Sequence, residues 1–65
     1  MPIITVDGPA IAELERKRAF VSKLTEVASE AYGLEREKII VLLRENAPEN
    51  VAVGGRLIAD LHRGE

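Results

Sequence analysis

Sixty-five residues make one domain at most, with a thin core, and the absence of cysteine excludes a disulfide framework and any thiolate metal site. A single histidine, His62, excludes a multi-histidine metal site, and a net charge of -2 with 3% aromatic residues argues against a nucleic-acid surface. Oligomerisation is then the expected reinforcement of so small a core.

The chain opens Met1-Pro2-Ile3-Ile4-Thr5-Val6. Proline offers no donor to a β-ladder, yet it is tolerated at the first residue of a strand. The β-branched run behind it, closed by the turn signal Asp7-Gly8-Pro9, predicts a strand over residues 2–7. This first apolar stretch has no basic leader, so no signal peptide is expected and the protein is placed in the cytoplasm. Over residues 13–32 the period becomes helical. Leu14, Val21, Leu24, Ala28 and Ala31 share a face, widened by Phe20 and Val27, with Glu15, Ser22, Glu26 and Ser29 opposite. Glu13 and Glu15 suit the start of this helix, and Gly33 suits the left-handed residue that ends it.

A charged connector leads to a second strand over residues 39–45. Its apolar run, Ile39 to Leu43, is far too short for a membrane span, and its β-branching without alternation marks a strand buried on both faces. Strand, helix, strand with a long crossover is a parallel βαβ unit, so the fold class is α/β. One helix covers one face of a two-stranded sheet, while Ile3, Ile4 and Ile39 to Leu43 supply apolar side chains to both. Two strand edges are also left open. A homo-oligomer follows from this pattern as well as from the length. Residues 50–65 form a hairpin or tail for subunit contacts. Val51-Ala52-Val53 is one arm, Gly54-Gly55 a permissive turn, and Leu57, Ile58 and Leu61 fall at helical spacing. The whole chain, 1–65, is one domain.

The segments PIITV at 2–6, KRAFVSKLTEVASEAYG at 17–33, IIVLLREN at 39–46 and NVAVGG at 50–55 stand in an order and spacing that resembles the 4-oxalocrotonate tautomerase family. The resemblance covers nearly the whole chain, with the last ten residues less characteristic. It implies a βαβ subunit that pairs into dimers with a four-stranded sheet and commonly assembles as a hexamer. It also implies a small-molecule enol or oxo-acid substrate, and proton transfer without a metal or organic cofactor. The general base it implies is the N-terminal proline nitrogen, here Pro2 once Met1 is removed.

Elementary chemistry agrees. An α-amino group titrates at about 7.7–8.0, and an apolar pocket or nearby cations lower it toward neutrality, where a base for proton abstraction is most useful. With Met1 attached, the Pro2 nitrogen is a non-basic amide. Ile3, Val51 and Val53 are available to make the pocket apolar.

Three positions depart from the family pattern. Ala12 and Ile40 stand where the best-known members place arginines that grip a dicarboxylate, and Val51 stands where they place phenylalanine. Two cations are expected to substitute as substrate-binding residues. Arg16 lies one helical turn beyond Ala12, about 6 Å along the axis. Lys38 lies two residues before Ile40, about 7 Å away on the same side of the strand. Arg44, about 13 Å from Ile40, is a weaker stand-in unless a neighbouring subunit delivers it. Lys17 sits in the apolar arc of the helix and points to a site or snorkels, and a Glu13–Lys17 pair one turn apart is its ordinary role. Glu45 and Asn46 read as structural, and His62 as exposed and inert. The expected function is a cofactor-independent tautomerase with Pro2 as base. The alternatives are a hydratase- or dehalogenase-like use of protonated Pro2, or a non-catalytic oligomer that keeps the scaffold.

Overall fold

The computed structural model describes residues 1–61; the tail residue His62 lies outside them. Strand β1 (Ile3–Gly8) is followed by helix α1 (Leu14–Tyr32), a 3-10 turn at Arg36–Lys38 and strand β2 (Ile40–Glu45). A second 3-10 turn at Pro48–Asn50 leads to the hairpin β3 (Ala52–Val53) and β4 (Arg56–Leu57), then to one helical turn, α2 (Ile58–Leu61).

β1 and β2 pair in parallel, with Ile3 opposite Ile40 and Gly8 opposite Glu45. The ladder begins where the Ile40 N–H donates to the Pro2 carbonyl (3.0 Å) and ends where the Asn46 N–H donates to the Gly8 carbonyl (2.8 Å). Ile39 stays outside the strand because its own N–H donates back to Arg36, closing the preceding turn. Gly33 takes the left-handed conformation (φ 66°, ψ 35°) and its N–H donates to the Ser29 carbonyl, which ends α1 abruptly. Glu13 precedes the helix in an extended conformation without a side-chain cap bond.

Side-chain parity divides the sheet into two unlike faces. Ile4, Val6, Val41 and Leu43 are half-buried on the face toward α1, whereas Ile3 and Leu42, on the other, are 60% and 46% exposed. Among the described residues, the hydrophobic core of the single chain amounts to Ala28 and Ile39. The two-sided apolar composition of the sheet is thus present, but one chain covers one side of it. Among the described residues, no helix is long and apolar enough to cross a membrane.

Candidate active site

Pro2 is half-buried at the N-terminal end of the sheet, held there by the bond from Ile40 to its carbonyl. Lys38 is exposed at the same end, in the turn that feeds β2. Ile40 lies on the open face opposite Ile3, so two apolar side chains adjoin the proline there.

A cleft lies at the other end. It measures about 420 Å³ and is lined by Asp7, Gly8, Pro9, Asn46, Pro48, Val51 and Ile58. The C-terminal ends of both strands make one wall. Pro48, with Val51 and Ile58 flanking the hairpin on either side, makes the other, tied down by the Ile58 N–H, which donates to the Val51 carbonyl (2.8 Å). Four residues of β1, Ile3 to Val6, separate Pro2 from Asp7 at the cleft wall, a span of about 17 Å. Because α1 returns antiparallel to the strands, its first turn, with Arg16, also lies at the cleft end. Arg16 is exposed and pairs with Glu13 (3.5 Å). In one chain Lys38 and Pro2 thus share one end of the sheet, while Arg16, Val51 and the cleft lie at the opposite end.

Glu45 fastens the cleft end together. Its Oε2 accepts from the Ile11 N–H (2.9 Å) and from Lys17 Nζ (2.9 Å), joining β2 to the loop before α1 and to the helix itself. The Ile11 hydrogen bond, then Lys17, hold the Glu45 carboxyl below the usual glutamate value. Lys17 thus takes a structural role toward β2, and Glu13 pairs with Arg16 in its place. On the helix-free face Arg44 sits 3.9 Å from Asp7, its register partner. From sequence, Asp7 and Pro9 read as a turn, Pro48 as a loop signal, Asn46 as a strand end or a residue lining the site, and Ile58 as part of the tail. The one signal for them was the clustering of turn residues at 7–9 and 46–48, which the parallel register brings side by side. Among the described residues no three metal-ligating side chains are gathered.

Residues 2–61 match the family model for tautomerase enzymes. The chain belongs to the tautomerase family. A 2-hydroxymuconate tautomerase of Bacillus subtilis is 36% identical to it over 61 residues, 94% of this chain and 98% of the relative. The solved structure of DmpI from Archaeoglobus fulgidus is 49% identical with a TM-score of 0.81, covering 91% of this chain and 100% of that one. A structure studied for trans-3-chloroacrylic acid dehalogenase activity is 36% identical with a TM-score of 0.73, covering 86% of this chain and 97% of that one. Tautomerases are isomerases, small oligomeric enzymes acting on small molecules, and this tautomerase is an enzyme of that class rather than an inert scaffold.

Proposed function

We propose that this tautomerase is a cytoplasmic, cofactor-independent enzyme in which Pro2, made an N-terminal amine by removal of Met1, is the general base. The observation that carries the reading is a family match that begins at Pro2 itself and runs to residue 61. The proline lone pair takes the hydroxyl proton of an enol. The oxygen's electrons re-form the carbonyl, and the conjugated carbon takes the proton back from the prolinium, completing a 1,3- or 1,5-shift. A cation stabilises the substrate carboxylate and the developing negative oxygen. Lys38 beside the proline and Arg16 from a second copy fill that role.

A second copy is needed because Pro2 and the cleft lie at opposite ends of one chain. The parallel ladder uses the N–H and C=O groups of even-numbered β1 residues, as the Pro2 and Gly8 bonds indicate, so Ile3, Thr5 and Asp7 direct theirs outward. Antiparallel pairing of two such edges is fullest when Thr5 meets the partner's Thr5 and Ile3 meets the partner's Asp7. Pro2 then stands opposite the partner's Gly8, at the wall of the partner's cleft. Both helices fall on one side of the resulting four-stranded sheet. The other side, with Ile3, Ile40 and Leu42, is left to pack between pairs in the hexamer that the family resemblance implies.

The identity shared with the chain studied for dehalogenase activity favours a second use of the same base, in which the protonated proline acts as an acid. The intact mass of the protein and its turnover of phenylenolpyruvate test the reading. Material lacking Met1 is expected to be active, and Pro2→Ala to lose about 100-fold or more in kcat, the lower range for a general base. Equal rates for Pro2→Ala and wild type would overturn it. In the same assay, Lys38→Ala and Arg16→Ala are expected to raise KM.

A further inference from the structure

The rim of the cleft carries an ion pair that the proton transfer does not use. Asp7 is part of the cleft wall, and the Arg44 guanidinium lies 3.9 Å from its carboxylate. That separation is outside hydrogen-bond range, so both groups keep free hydrogen-bonding capacity. In the single chain their side chains are 58% and 65% exposed, which makes the pair a minor contributor to the folding of the subunit. Its effect on a ligand is larger. Each charge is offset by the other, and the remaining wall is Gly8, apolar Pro9, Pro48, Val51 and Ile58, and neutral Asn46. Lys17, half-buried nearby, is committed to Glu45.

We infer that the Asp7–Arg44 pair sets the charge class of the substrate: the cleft accepts a monocarboxylate with an apolar body and discriminates against a dicarboxylate. A second carboxylate reaching this wall meets the Asp7 carboxylate. To gain Arg44 it has to displace Asp7, exchanging one ion pair for another and leaving two like charges side by side. A monocarboxylate turns its apolar end to the same wall and leaves the pair undisturbed. This rests on the reading that the cleft takes the substrate, and extends it from proton transfer to specificity.

The test is calorimetric binding of cinnamate and cis,cis-muconate to the intact assembly, since neither ligand has an enol to turn over. Wild type is expected to bind cinnamate more tightly. In Asp7→Asn, muconate is expected to gain about tenfold relative to cinnamate, the size of one hydrogen bond to a charged group. Adding Arg44→Ala to Asp7→Asn should remove that gain, because it acts through the freed guanidinium. The inference is overturned by wild type that prefers muconate or binds no cinnamate, by an unchanged ratio in Asp7→Asn, or by a gain that survives loss of Arg44. Asp7→Ser provides the same comparison with a smaller neutral side chain. Turnover plays no part in these readouts, so a fully active Pro2→Ala enzyme would remove the proline base and leave the charge selection standing.

Discussion

Glu45 joins the end of β2, the loop before α1 and the helix through a single carboxylate. Its folded-state pKa is depressed, so its contribution is complete above the unfolded value and is lost as pH falls through the folded one. Glu45→Gln is accordingly expected to lower the unfolding temperature at pH 7, and the gap from wild type to close as pH falls below about 4.3. Thermal melts of both proteins from pH 3 to 7 measure this; a gap independent of pH would count against the charged tie. Little of it was legible from sequence. The local rule for residues one turn apart pairs Lys17 with Glu13, and nothing local reveals a carboxylate 28 positions later. The trace that was present is parity. Lys17 lies in the helix's inward stripe, and Glu45 lies on the strand parity that faces the helix.

The elements themselves were far more legible, because their ends are written in residues with special backbone needs. Gly33 marks the helix end through a left-handed conformation, and Gly54 and Gly55, with φ of 59° and 82°, form a two-residue turn that suits the twist of the β3–β4 hairpin. No heavy atom stands within 4 Å of a Cβ built on Gly33, so a substitution there meets strain without a clash. Gly33→Ala is expected to destabilise by about 1 kcal/mol, seen as a lower urea midpoint at an unchanged slope. A midpoint equal to that of wild type would mean that the helix end refolds around the substitution. The strand limits shifted by a residue for an equally local reason. β2 starts at Ile40 rather than Ile39 because the turn before it claims the Ile39 N–H, and β1 runs on to Gly8 because Asn46 donates to its carbonyl.

At the scale of the molecule, the chain has a radius of gyration of 15.4 Å, against about 11 Å for a compact domain of this length. With Ile3, Leu42 and Val53 exposed as well, a lone chain leaves much of its apolar surface uncovered. The need for partners was therefore legible in composition, whereas the placement of Pro2 and the cleft at opposite ends was not. Spacing along the helix relates Arg16 to Ala12 but says nothing of where either stands relative to Pro2; only the antiparallel return of α1 decides that. This placement also makes the assembly testable at one residue. Thr5 sits at the centre of the outward β1 edge, and its N–H is free of the ladder to β2, so proline there spares the fold of the subunit. Across the edge, the same change removes the central pair of bonds and sets two rings against each other. Thr5→Pro is expected to sediment as a smaller species than wild type and to lose tautomerase activity, because on the proposed pairing Pro2 no longer reaches a partner's cleft. Retention of the wild-type mass would assign the pairing to the β2 edge, and full activity in a dissociated chain would return the entire site to a single subunit.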